Sequence, residues 1–430
     1  MKVSKTKAAV AITGLLLSTS NPALAAPGDV ALVGARVVPV SQPPIEKGTV
    51  LIRDGRIAEL GVDVAVPGDA RTIDVSGRII TPGLIAADTQ LGLLEVGLEP
   101  QSNDARPEVD HPIRAAVRAD RAFDLDSTLV GVARRHGVTS VISAPEGGLV
   151  SGRAGFFDLL DGRDPAAPTS FEGLVALCVR LGEKGAAAVG GSRLSAMHRF
   201  EEFLDDVRTY RTSEALYRRR GLYSMSAGRL DLAAAVPVLQ GRMPAVIEVH
   251  RAADVRAVVQ LANEYRLDLV LLGASEGWMV ADFLAEEKIP VVVDPFANLP
   301  SSFERRNARA DNGALLARAG VPVVLAARSN HNAGNLRFAA GNAVRAGFPA
   351  ELALEAITLT PARVFGFDDR MGSLERGKRA NLVVWTGDPF EPGSWAERVF
   401  VRGREQPLDS RQTRLARRYA AKLGLETTAN

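Results

Sequence analysis

The chain carries five histidines in 430 residues, and two of them stand where acid–base chemistry is usually done. His250 closes the apolar run Ala245-Val-Ile-Glu-Val, and His331, in Ser329-Asn-His-Asn, follows Val321-Pro-Val-Val-Leu-Ala-Ala. Imidazole changes charge near neutral pH, so two of them at strand ends suit proton transfer without a metal. Glu183, in Leu181-Gly-Glu-Lys, is either their carboxylate companion or a loop residue. His111 precedes Pro112, His136 precedes Gly137 and His198 precedes Arg199-Phe, which are surface or capping settings. The single cysteine, Cys178 in Leu174-Val-Ala-Leu-Cys-Val, reads as a small buried hydrophobe rather than a nucleophile or thiolate ligand. Ser143 and Ser151 flank the Gly-rich stretch Glu146-Gly-Gly-Leu-Val-Ser-Gly152. No Gly-x-Ser-x-Gly elbow accompanies them, and the stretch lacks the Lys-Ser/Thr pair of a phosphate-cradling loop. Its expected job is to turn the backbone.

The elements that must position these side chains follow from the run of apolar residues. Short β-branched runs between 29 and 80 (Ala31-Leu-Val, Arg36-Val-Val-Pro-Val, Thr49-Val-Leu-Ile, Arg78-Ile-Ile-Thr) read as strands. Asp54-Gly55 between two of them is a hairpin signal, because glycine permits positive φ. Hairpins return over 372–385 and 396–403. Between these ends, about 81–365, apolar strands alternate with helices: Val138-Thr-Ser-Val-Ile-Ser, Ala245–Val249, Leu267–Leu272, Pro290–Val293 and Val321–Ala327. Helices are predicted over 112–136, 198–219, 252–265, 276–287 and 350–364. That rhythm predicts an α/β chain with a (β/α)8 barrel over 81–365. A composite β-sandwich is expected from 28–80 and 366–410, with a basic helix or tail over 411–430. A doubly wound sheet is the fallback, without an early Gly-x-Gly-x-x-Gly to support it.

Composition narrows the partners. Basic and acidic residues number 52 and 50, a balance that argues against nucleic acid. Lys2, Lys5 and Lys7 precede the apolar stretch 8–17, and Ala23-Leu-Ala25 supplies a small-residue cleavage pattern. Residues 1–25 therefore read as an export signal, leaving 430 − 25 = 405 residues in the periplasm or outside. No later apolar run is long enough to predict a transmembrane segment. With one cysteine, no intrachain disulfide can form, so packing must carry stability.

Ile80-Thr-Pro-Gly-Leu-Ile-Ala-Ala-Asp-Thr-Gln90 closely resembles the first barrel strand of the amidohydrolase superfamily. His136-Gly-Val-Thr-Ser-Val, Leu181-Gly-Glu-Lys-Gly, Pro237–Pro244, His250-Arg-Ala-Ala-Asp-Val, Leu359-Thr-Pro-Ala-Arg-Val-Phe-Gly and Gly372–Val384 extend the resemblance over nearly the whole chain. They are similar to exported, imidazolonepropionase-like members. The resemblance implies metal-assisted hydrolysis of a non-peptide C–N bond, with zinc or another divalent cation generating hydroxide.

Carrying that family's ligands over gives an unusual set. The strand-one His-x-His becomes Asp88-Thr89-Gln90, the strand-five ligand falls on Glu248, the strand-six histidine on Gly273, and the strand-eight aspartate on Arg328. Glu183 matches a bridging carboxylate or is a loop residue. A guanidinium has no lone pair for a metal, so no catalytic metal or other cofactor is expected here. Either Arg328 bridges Asp88 and Glu248 across the barrel mouth, or it has drifted and reaches solvent. Two functions remain open. The first is a catalytically impaired or accessory member, as a homo-oligomer or in a hetero-oligomer with an intact relative, with a small-molecule ligand at its mouth. The second is a hydrolase with a relocated, metal-independent site at Glu183, His250 and His331.

Overall fold

The computed structural model describes residues 28–106, 111–163, 170–218 and 225–424. The export signal over 1–25 and the end of the basic tail (425–430) lie outside the described residues. Both ends of the described chain enter one sheet. Strands β1 (Val30–Val37), β2 (Ile45–Arg53), β3 (Arg56–Gly61), β4 (Arg71–Asp74) and β5 (Ile79–Pro82) come from the N-terminal side. The Asp54-Gly55 turn joins β2 to β3 with φ of 51° and 75°, the backbone that the dipeptide favours. β1 forks: its first half pairs in parallel with β4 and its last two residues with β5.

Strands β6 (Leu84–Thr89), β7 (Val138–Ser143), β8 (Val150–Asp158), β9 (Phe171–Arg180), β10 (Ala245–Val249), β11 (Leu269–Gly273), β12 (Val291–Val293) and β13 (Val323–Leu325) form a second sheet in chain order. It is a nearly closed, TIM-like barrel. The described helices of the barrel section are α1 (Thr128–Arg135), α2 (Glu183–Ala188), α3 (Arg193–Arg218), α4 (Arg229–Leu239), α5 (Ala252–Tyr265), α6 (Ala281–Glu286), α7 (Asn312–Arg318), α8 (Leu336–Arg345), α9 (Ala350–Ala353) and α10 (Leu359–Val364). The chain then returns to the first sheet through β14 (Leu382–Trp385), β15 (Ala396–Val401) and β16 (Arg404–Glu405). β14 lies antiparallel to β5 with Val383 opposite Thr81, so one sheet holds both ends. It encloses a small core of its own, including Leu32, Ile52, Ile80, Leu382 and Phe400.

Three departures from the predicted elements have local causes. Residues 112–127 form no α-helix, only a single 3-10 turn at Ala119–Arg121; they run beside β8 through isolated bridges from Ile113 to Val150 and Arg118 to Arg153. The helix begins only where Ser127 caps it by accepting from the Leu129 N–H. The Gly-rich stretch leads into β8, which lies antiparallel to both β7 and β9, so the barrel is not built of eight parallel strands. Gly152 is required within β8, since a Cβ there would stand 2.9 Å from both Pro145 and Val117. Residues 350–364 break at Thr358, whose hydroxyl donates to the Leu354 carbonyl at 2.7 Å.

The period of two along each strand sorts side chains between the outer helix layer and the barrel interior. Ile85 and Ala87, Ile142, Phe156, Ala176, Val246, Val270 and Leu272, Val292, Val324 and Ala326 fill the interior. Phe365, Phe367 and Met371 join this interior cluster from the segment after α10. Continuing the same parity upward predicts what crowns the stack: Arg180 on β9, Glu248 on β10, Asp294 after β12 and Arg328 after β13.

Candidate functional site at the barrel mouth

Those four residues, with Asp88 at the end of β6, meet at the mouth. The Arg328 Nε donates to Asp88 Oδ2 at 2.5 Å and its Nη1 to Glu248 Oε1 at 3.0 Å. Asp88 reaches this position through a positive φ of 53° inside its strand, a backbone that aspartate tolerates better than most residues. The guanidinium therefore spans β6, β10 and β13. β6 and β13 are the two ends of the barrel sheet, and a further bridge, from Thr89 Oγ1 to the Ser329 carbonyl at 2.6 Å, reinforces their seam.

Glu248 is the electrostatic centre. Its side chain is 4% exposed and has four cationic groups within 4 Å. Arg328 stands at 3.0 Å, Lys184 at 3.3 Å, Arg180 at 3.4 Å and Arg305 at 3.8 Å. Burial alone would raise its pKa. Arg328 first, then Arg180 and Lys184, outweigh that and hold the carboxyl well below the usual range. Burial likewise works against the charge on Arg328, but Asp88 and Glu248 raise its pKa above the ordinary arginine value. Asp294 goes the other way. Burial raises it, against backbone N–H groups of Phe296 and Arg328 that favour its charged form.

His250 is 1% exposed, and both ring nitrogens are engaged. Nδ1 lies 2.9 Å from Ser275 Oγ, while Nε2 accepts from Arg305 Nη2 at 3.1 Å and Nε at 3.3 Å. A guanidinium can only donate, so Nε2 carries the lone pair and Nδ1 carries the proton, donated to Ser275. This is the wrong tautomer for taking a proton from that serine. Glu304 Oε1 stands 3.8 Å from Nε2, so the trio has the outline of a nucleophile–base–carboxylate array in which Arg305, not the carboxylate, holds Nε2.

Glu183 opens α2 and exchanges two hydrogen bonds with Glu304: each backbone N–H donates to the other's carboxylate, at 2.7 and 2.8 Å. Gly182 makes that approach feasible, since a Cβ there would sit 2.3 Å from Glu304 Oε2. Gly273, at φ +90°, lies against the His250 ring; a Cβ would stand 2.4 Å from Cε1. Gln90 is buried in the turn after β6, where its carbonyl caps the Leu93 and Leu94 N–H groups. His331 is exposed, with its Nδ1 3.0 Å from Asn330 Oδ1.

The structure thus brings Asp88, Glu248, Arg328 and His250 into one cluster, with Glu183 attached through Glu304, and leaves His331 apart. Arg180, Lys184, Asp294, Ser275, Glu304 and Arg305 were missed from sequence. Strand parity could have found the first and third; Glu304 and Arg305 arrive on a single 3-10 turn, Phe303–Arg305, that no periodicity locates. A partly open hollow of about 30 Å³ borders His250, Ser275, Asp294, Arg305 and Arg328, room for about one water. Cys178, one layer below the mouth in β9, has its thiol pushed up to about 12 by burial, with the Asp88 charge adding to it.

A model of the Amidohydrolase family matches residues 268–407. The chain is 24% identical over 392 residues to amidohydrolase tasK of Hapsidospora irregularis, a match that covers 84% of this chain and 40% of that protein. The chain therefore spans well under half the length of that relative. It is 26% identical over 377 residues to the imidazolonepropionase of Acidiphilium cryptum, covering 81% of this chain and 89% of that enzyme. Among solved structures, an amidohydrolase of Thermotoga maritima superposes with a TM-score of 0.78 at 27% identity, covering 87% of this chain and 99% of that one.

Proposed function

Because this chain belongs to the amidohydrolase superfamily as an imidazolonepropionase-like protein, we propose that it is a member in which an arginine–carboxylate cluster occupies the place of the hydrolytic cation. Its role is accessory: it contributes a barrel surface to an assembly, as a homo-oligomer or beside an intact relative, rather than turning over a C–N substrate. The observation that carries this reading is Arg328 held between Asp88 and Glu248.

The donor set does not fit the zinc or similar ion that the family implies. Of the carried-over positions, Gly273 has no side chain, Arg328 cannot ligate, and Gln90 offers only a neutral amide where the family has an imidazole. Asp88 and Glu248 each give one oxygen to Arg328, and Glu183 accepts from the Glu304 N–H. A divalent ion between Asp88 and Glu248 would face that guanidinium at ~4 Å, a repulsion of about 4 kcal/mol per unit of cation charge at an effective dielectric near 20. The competing reading, a hydrolase working through Glu183, His250 and His331, has less support, since His331 faces solvent and the His250 lone pair is taken by Arg305.

The test is metal analysis of protein purified from its own source, with a screen of cyclic amides and N-acyl amino acids in the presence and absence of chelator. The expectation is substoichiometric metal, no turnover and unfolding unaffected by chelator. Stoichiometric zinc with chelator-sensitive hydrolysis would reverse the conclusion. Export to the periplasm or medium is part of the same proposal and is checked by fractionating cells and sequencing the mature N-terminus.

A further inference from the structure

After β16 the described residues form a further helix, α11 (Arg411–Leu423). Its ends are well specified: Ser410 and Thr413 make a reciprocal capping box, and Gly424 closes it at φ 64°. Yet none of its residues with a described side chain is buried. A helix of this length is marginal in water without a surface to pack on. Arg411, Arg414, Arg418 and Lys422 follow one another at three- and four-residue steps and form a single stripe, with Arg417 beside it paired to Asp409 at 2.7 Å. The helix contains no acidic residue. Ala416, Tyr419 and Leu423 form the neighbouring stripe, with Tyr419 55% and Leu423 71% exposed. Trp395, 53% exposed, lines with Leu408, Arg417 and the acidic Glu397 and Asp409 a hollow of about 540 Å³ beside this helix.

We propose that α11, with Trp395, docks the protein on an anionic phospholipid surface, the basic stripe meeting headgroup phosphates and the aromatic and leucine side chains entering the acyl boundary. Charge complementarity selects this occupant. A second copy would bring two basic stripes against one another. A polyphosphate chain would leave Tyr419, Leu423 and Trp395 in water, whereas an aromatic–basic helix lying in the interface uses both stripes.

The experiment is co-sedimentation of the full chain with phosphatidylcholine vesicles, with and without phosphatidylglycerol. The expected result is binding to the anionic vesicles alone, released by salt. In R414Q/R418Q/K422Q, partitioning falls on the order of 100-fold, since each basic residue near such a surface contributes about 1 kcal/mol, close to fivefold. Y419S/L423S also weakens binding, and both variants keep the parent circular dichroism because the changed side chains are exposed. Equal binding to both vesicle types, or a triple variant that partitions like the parent, overturns the proposal. So does uptake of duplex DNA without vesicle binding, or a dimer in the ultracentrifuge that the same variants dissolve.

Discussion

Replacing Arg328 with methionine tests the barrel-mouth cluster most directly. The substitution keeps much of the volume and removes the charge that joins Asp88 to Glu248 at 2.5 and 3.0 Å. Taking one partner from a buried ion pair ordinarily costs about 3–5 kcal/mol, because the other charge is left uncompensated. Here the damage is unequal. Glu248 keeps Lys184, Arg180 and Arg305 within 4 Å, while Asp88, with a side chain only 13% exposed, loses the guanidinium that holds it. The lower end, about 3 kcal/mol, is therefore expected. With an unfolding entropy of about 2.1 cal/mol/K per residue and roughly 400 residues, that lowers the melting temperature by about 4 °C. Asp88→Asn in the same chain removes the orphaned charge, so the double variant regains about half the loss. The assay is thermal and urea unfolding of parent, R328M, D88N and D88N/R328M, read as a double-mutant cycle. An interaction energy below about 0.5 kcal/mol would mean the two side chains act independently, and the reasoning would be wrong.

Glu248→Gln should show a pH signature. The folded carboxyl lies below its ordinary value of 4.5, so its stabilisation is present above that value and is lost as pH falls through the folded pKa. The stability gap between parent and variant should be flat above about pH 5 and narrow on acidification, as followed by urea midpoints. Gly273→Ala meets the His250 ring and a φ of +90°, so a loss of about 3 kcal/mol is expected; His250→Ala in that background recovers the clash but not the backbone strain. Cys178 should resist iodoacetamide at pH 8 in the folded protein and react only on unfolding, because its thiol lies at about 12.

Much of the scaffold was legible because periodicity records burial. The α5 prediction, 252–265, coincides with the helix, and the apolar runs around 138, 245, 269 and 291 became strands. The segment 112–127 was not legible: its Ala- and Arg-rich composition favours a helix, but its backbone is drawn out along β8. β8 itself was hidden by Gly152 and Gly155, which look like a turn in sequence and serve close approach in the strand. At the site, Asp88, Glu248 and Arg328 could be set side by side because strand register carries each to the same height. Arg305 and Glu304 could not, since one isolated 3-10 turn fixes their position and so short an element has no period to read.

The sharing of one sheet by both ends of the chain bears on how the molecule is made. Pro82 on β5 waits for Leu382, three hundred positions later (382 − 82 = 300), before its edge is covered. A chain emerging in order keeps that edge bare through almost all of its synthesis, and a bare edge invites pairing with other chains. Assembly is therefore gated by arrival of the last strands, and truncation just before β14 should yield an aggregating polypeptide rather than a smaller soluble barrel.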